Sequence, residues 1–143
     1  KVPPGTRDGL VFSDCRDCTL SGFQIFHPLA EQGAVILRRS RRLNVTGCSI
    51  LDCNACGLLL DDVHSVRVSG CLIRDDRPAD SSPVALRLTA GRGNMIVDNL
   101  LCGQTEIVPG SGTVRGNYEG EREGTTDGTE NTDQGAGPSA AKP

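Results

Sequence analysis

Three short apolar blocks in this chain each begin with a glycine, and those glycines recur 24 residues apart: Gly9-Leu-Val-Phe, Gly33-Ala-Val-Ile-Leu and Gly57-Leu-Leu-Leu. Val84-Ala-Leu-Arg-Leu reads as a fourth block after a longer loop. A second motif recurs between them: Thr19-Leu-Ser-Gly-Phe-Gln-Ile25, Asn44-Val-Thr-Gly-Cys-Ser-Ile50, Arg67-Val-Ser-Gly-Cys-Leu-Ile73 and Met95-Ile-Val-Asp-Asn-Leu-Leu101. Aligned, these give apolar columns: Leu20/Val45/Val68/Ile96 and Ile25/Ile50/Ile73/Leu101. Each block is too short for a stable helix, and its apolar residues alternate or cluster as in strands. A repeat of this length with several short strands per period is the mark of a solenoid. One coil cannot bury its own apolar face, but stacked coils bury a continuous one. A leucine-rich repeat would need Leu-x-x-Leu-x-Leu spacing and a helical return segment, and neither is present.

Stacked coils pair in parallel about 4.8 Å apart, so equivalent residues form ladders. Counting alternate residues from each glycine predicts inward pairs Leu10/Phe12, Ala34/Ile36, Leu58/Leu60 and Val84/Leu86. The second strand points Cys18/Leu20, Leu43/Val45, Val66/Val68 and Asn94/Ile96 inward, with Asn94 interrupting its column in a frayed last coil. The expectation is an all-β parallel β-helix of about four coils over residues 1–118. Residues 104–118 are expected to cap its C-terminal end. Residues 1–8 are too short to cap the other end. That gap, and the lack of an initiator Met or charged-then-apolar leader, predict further coils N-terminal to Lys1 or a removed signal.

The rest of the chain differs in kind. Residues 119–143 carry six acids against Arg122 and Lys142, a charge of −4, whereas the whole chain is −3, which leaves the body at +1. This Gly-, Thr- and Glu-rich segment has almost no apolar residue and is expected to be a disordered tail. A nearly neutral body is unlike a nucleic-acid binder, which normally shows a basic excess. Aromatics make up only 3% and Trp is absent, which argues against base- or sugar-stacking platforms. No apolar run approaches the roughly 18 residues of a membrane span.

The repeat resembles the right-handed parallel β-helix of the pectate-lyase-like superfamily. That family has three short strands per coil and often stacks Asn in the turn between the second and third. Asn99 falls in that column, with Cys48 and Cys71 in the same slot. The resemblance covers roughly residues 8–118. It implies an extracellular or periplasmic protein that binds or acts on polysaccharide. As an enzyme it would be a lyase working by β-elimination or a glycoside hydrolase. The fold also hosts non-catalytic and adhesive members, so a structural solenoid is the alternative.

In the family, acid–base groups stand on the outer face of the first strand and its adjoining loops. Outward positions there are expected at Val11/Ser13, Val35/Leu37, Leu59/Asp61 and Ala85/Arg87. Val11, Val35, Leu59 and Ala85 would form an apolar stripe suited to an interface. Asp61 and Arg87 would share one outward column on adjacent coils, with Asp62 and His64 in the turn beside them. The resemblance implies Arg87 as a proton-abstracting base and Asp61 and Asp62 as ligands for Ca2+, whereas an Asp–Arg rung on a strand surface is more often a plain ion pair. No carboxylate triad of the polygalacturonase type can be matched.

Arg38, Arg39, Arg41 and Arg42 form a basic run near Asp14, Asp17, Asp61 and Asp62 of neighbouring coils. Cross-coil salt bridges are the plainer expectation, and attraction of an acidic glycan the functional one. Asp62, His64, Arg38 and Arg39 are thus the candidate substrate contacts. Asp75, Asp76, Arg77 and Asp80 sit in the longest inter-coil loop, and His27 in the equivalent loop of the first coil. Seven cysteines include two C-x-x-C pairs, Cys15/Cys18 and Cys53/Cys56. The pairs fall at different places around the coil, so a four-thiolate zinc site is not expected. Cys48 and Cys71 fit as small stacked hydrophobes.

Overall fold

The computed structural model describes residues 9–28, 30–76 and 84–120. The expected tail beyond residue 120, the segment before Gly9, and Arg77 and Asp80 of the long loop lie outside the described residues. Among the described residues every regular element is a strand, and every pairing between strands is parallel. The chain winds as a parallel β-solenoid with three columns of strands.

The first column stacks β1 (Leu10–Ser13), the front of β4 (Val35–Thr46), β6 (Cys56–His64), β9 (Val84–Leu88) and β13 (Gln104–Ile107). The second stacks β2 (Arg16–Ser21), the back of β4, β7 (Arg67–Ser69), β11 (Asn94–Val97) and β14 (Gly112–Arg115). The third stacks β3 (Gln24–Phe26), β5 (Ser49–Leu51), β8 (Leu72–Arg74), β12 (Leu100–Cys102) and β15 (Tyr118–Glu119). The short β10 (Gly91–Arg92) pairs with the end of β6. Residues 104–118, expected as a cap, form one more rung in every column. Their polar side chains and poor alternation hid this, and among the described residues no further coil covers their outer face.

The register differs from the glycine count. Leu10 pairs with Val35, Val35 with Leu58, and Leu58 with Leu86. Successive coils therefore step by 25, 23 and 28 residues, as the cross-coil contacts Arg39–Asp14, Arg38–Asp61 and Thr89–Asp61 repeat. Two equal glycine intervals conceal the first two unequal coils. The inward pairs are Leu10/Phe12, Val35/Leu37, Leu58/Leu60 and Leu86/Leu88, so the predicted second pair was off by one residue and the fourth by two. The second- and third-strand columns stand as predicted: Leu20, Val45, Val68 and Ile96 pair in turn, as do Ile25, Ile50, Ile73 and Leu101.

These columns form one continuous core along the axis. Leu37, Leu58, Leu60, Leu86 and Leu88 are fully buried, each contributing about 1.5–3 kcal/mol relative to exposure. Gly57 is a place where two coils touch: a Cβ there would meet the Ala85 carbonyl oxygen at 2.6 Å and run into Ile73.

The coil bends at corners held by left-handed residues, which stack as the strands do. Asp14, Arg39 and Asp62 form one such column; Asp17, Arg42, Ser65 and Gly93 form the next. Gly22, Gly47, Gly70, Asp98 and Gly116 form a third. Glycine adopts this conformation without cost, whereas each L-residue there costs roughly 1–2 kcal/mol. Asp is the commonest side chain at these corners, and at Asp14 and Asp17 the carboxylate is held by an arginine of the next coil.

Asn94 does not mark fraying. It is buried, its Oδ1 accepts from the Val66 amide at 2.9 Å, and its Nδ2 donates to the Val63 and Ser111 carbonyls. Asn99 does the same one turn later. Its Oδ1 accepts from the Cys71 amide at 2.9 Å, and its Nδ2 donates to the Val68 carbonyl and to Asn117 Oδ1. A bent backbone leaves buried donors and acceptors unpaired, and a stacked amide satisfies both kinds.

Candidate functional site

The outer face of the first column carries Val11, Ile36, Leu59 and Arg87 in one paired row. The expected stripe of Val11, Val35, Leu59 and Ala85 is thus re-registered, and only its first member is open. Val11 is 53% exposed, whereas Ile36 and Leu59 are buried with Cys56 and Val84 in a small outer cluster. Beside this cluster lies an open depression of ≈ 570 Å³ lined by Glu31, Gln32, Leu59, Asp61, Arg87 and Thr89, with Ala55 at its edge.

Asp61 and Arg87 both line this depression but do not form a pair. Arg87 pairs with Leu59 across the strands, so Asp61 sits two residues further along. The Arg87 Nε donates instead to Glu106 Oε1 at 2.7 Å on the next rung. That hydrogen bond to Glu106 pushes the guanidinium pKa above its ordinary value, so Arg87 is held as a cation. Asp61 is held from two sides. Its Oδ2 accepts from Arg38 Nε at 3.3 Å, and its Oδ1 accepts from the Thr89 hydroxyl at 2.9 Å. Arg38 also donates to Gln32 Oε1 at 2.7 Å, which ties the 30–34 loop over the strand.

Asp62 and His64 turn away from the depression and meet each other at 3.1 Å. Asp62 and Asp61 therefore do not converge. Among the described residues no three His, Cys, Asp or Glu side chains group as a metal site. With Asp61 already engaged by Arg38 and Thr89, these residues do not fit the calcium that the resemblance implies, and no step is derived through it.

The basic run resolves into single partners. Arg39 makes a two-point contact with Asp14, at 3.0 Å in each arm, and Arg42 makes one with Asp17. In both pairs the hydrogen bond to the arginine pulls the aspartate pKa down from its ordinary value. Arg39 is thus a corner tie rather than a free ligand contact. His27 meets Asp52 at 3.0 Å and stacks on Phe26, again joining adjacent coils. Asp76 accepts both arms of Arg74.

Cys48 and Cys71 are buried in the stacked column, and burial pushes the Cys71 thiol up to about 11. Cys56 is raised to about 11 by the same cause. Cys18 points to the same side as Leu43 but is exposed, because it lies on the first described rung.

Glu31, Gln32, Thr89 and Glu106 were not among the residues singled out from sequence. Glu31 and Gln32 reach the site only because the loop folds back, and Thr89 only because the fourth coil is shifted by two residues. Fold and depression together define a parallel β-solenoid with a polar-rimmed hollow on its first-strand face. No family model, curated protein or solved structure matches the chain.

Proposed function

We propose that this chain is a polysaccharide-binding part of a secreted β-helix protein of the pectate-lyase-like type. The observation that supports this reading is the depression on the first-strand face, lined by Asp61, Glu31, Gln32, Thr89 and Arg87. Carboxylates, an amide and a hydroxyl beside an apolar floor are the groups that hydrogen-bond sugar hydroxyls. A guanidinium adds a site for a uronate carboxylate. Binding is favoured over lyase chemistry because a general base must give up its proton, and Glu106 holds Arg87 in the charged form.

A second reading, a structural or adhesive solenoid, rests on the apolar side chains exposed near the two ends of the stack. Val11 is 53% and Tyr118 67% exposed.

The test is affinity electrophoresis through gels containing neutral and acidic polysaccharides, run beside an ultraviolet assay for unsaturated sugar ends. The proposal expects retardation in at least one polymer, reduced in Arg87→Ala and Asp61→Asn, with no absorbance rise. A calcium-dependent rise lost in Arg87→Ala would make the protein a lyase. No retardation in any polymer, with size increasing with concentration, would favour the structural solenoid.

A further inference from the structure

Two successive coils carry cysteine at the same position. Cys48 and Cys71 each follow a left-handed glycine, Gly47 and Gly70, and each precede a residue of the paired couple Ser49 and Leu72. The Leu72 amide donates to the Cys48 carbonyl at 2.9 Å, which fixes the register at that point. Both side chains belong to the buried core. They stand one rung apart, about 4.8 Å. A disulfide spans Cα atoms roughly 4.4–6.8 Å apart, so this position accepts one without moving the backbone.

The two sulfurs have the same surroundings. Cys48 Sγ lies 3.5 Å from the Thr46 carbonyl oxygen and 3.8 Å from that of Leu20. Cys71 Sγ lies 3.5 Å from the Ser69 carbonyl oxygen and 3.9 Å from that of Val45. Like placement on adjacent coils sets the sulfurs side by side. Burial is the main cause of the raised Cys71 pKa, and the Cys48 thiol beside it adds to the rise. The stack of sulfurs ends there, because Phe23 and Asn99 hold this position on the flanking coils. Elsewhere Cys18 pairs with Leu43, Cys56 with Val84 and Cys102 with Arg74, so none of these faces a cysteine across its ladder.

We propose that Cys48 and Cys71, both thiols here, are the site of a cross-coil disulfide made by exchange with a small-molecule disulfide such as oxidised glutathione. One cysteine thiolate attacks a glutathione sulfur, the glutathione S–S bond breaks, and one glutathione thiolate leaves. The second cysteine thiolate attacks the protein sulfur of that mixed disulfide and expels the other glutathione. The two protein thiols lose two electrons, oxidised glutathione gains them, and the two protons end on the released glutathione thiols. The exchange takes place before the coils close, since the folded thiols are buried. The bond then closes residues 49–70 into one covalent turn and locks the register of the second and third coils. This inference stands apart from the polysaccharide reading.

The test refolds the full chain from urea in a buffer of oxidised and reduced glutathione, quenches with acid, blocks free thiols and digests with trypsin. Cys71 falls in residues 68–74 as their only cysteine, and Cys48 in residues 43–67 with Cys53 and Cys56. Mass spectrometry should find these two peptides joined. The joined peptide should be lost in Cys48→Ser and kept in Cys53→Ser/Cys56→Ser. The linked chain should retain the strand signal in circular dichroism and unfold at higher urea than the reduced chain. Cys71 left free in refolded chain, Cys71 joined to Cys53, Cys56 or another cysteine, or a Cys48–Cys71 link found only in chain without the strand signal would each overturn the proposal.

Discussion

Asp14 and Arg39 occupy the same corner of successive coils, both with left-handed backbone (φ 57° and 49°), and their side chains close a two-point ion pair at 3.0 Å. Asp17 and Arg42 repeat the arrangement one corner on. The strained backbone and the ion pair are thus found in the same residues. The two effects separate by substitution. Arg39→Ala removes the pair and keeps the strain; Arg39→Gly removes both. Glycine should therefore be the less damaging change, by about 1 kcal/mol or roughly 4–8 °C in Tm. Equal melting temperatures would mean the corner is not held left-handed in solution.

Asp14 and Asp17 have pKa values lowered by their arginines. A depressed folded-state pKa favours the folded state above the unfolded value of 3.8 and loses that contribution as pH falls through the folded value. Stability should therefore decline below about pH 4. The loss should be smaller in Asp14→Asn/Asp17→Asn and in high salt, because both pairs are exposed and screened. Urea titrations at pH 2 to 5 measure this.

Cys56 and Cys71 behave in the opposite sense. Burial raises both thiols to about 11 from 9.0, so the unfolded chain ionises first. Their contribution is complete below pH 9.0 and is lost as pH rises towards 11. Cys56→Ala and Cys71→Ala should flatten that alkaline loss. In the native protein a thiol reagent should reach exposed Cys18 well before Cys56 or Cys71.

Asn99 ties three coils through buried hydrogen bonds to the Cys71 amide, the Val68 carbonyl and Asn117. Asn99→Ala strands at least one buried donor and one buried acceptor and should cost about 2–4 kcal/mol in urea unfolding. Asn99→Asp should be no better, since a carboxylate cannot donate to the Val68 carbonyl. A loss below 1 kcal/mol would show that water replaces the amide.

Two of the repeat glycines should respond differently. Gly57→Ala drives a Cβ against the Ala85 carbonyl and Ile73 and should cost about 1–3 kcal/mol. At Gly33 the nearest atom to a Cβ would be Leu59 Cβ at 3.2 Å, so Gly33→Ala should be milder. Similar losses at both would contradict the unequal coil lengths.

Much of this fold was legible because stacking writes the same apolar pattern into every coil. Leu20/Val45/Val68/Ile96 and the isoleucine column aligned correctly because the corner glycines Gly22, Gly47 and Gly70 sit at equivalent places. The first column misaligned because Gly9, Gly33 and Gly57 are not equivalent: Gly9 lies opposite Ala34 rather than Gly33. The fourth block slipped separately, by two residues, which moved Arg87 from Leu59 to Asp61 and made a rung that is not there. The corners were missed because left-handed Asp and Arg look like any polar residue in sequence. The cross-coil ion pairs of the basic run were anticipated, since opposite charges one coil apart must lie near each other. The depression was not, because it needs the 30–34 loop, the 52–56 turn and the shifted fourth coil together.

The central claim is that the outer first-strand face receives polysaccharide. Amide chemical-shift mapping during titration with polygalacturonate tests it most directly. The expected shifts are confined to the depression around Asp61, Arg87 and Thr89, with the third-strand face at Ile50, Ile73 and Leu101 unmoved. Shifts centred on that third face, or none at saturating polymer, would contradict it.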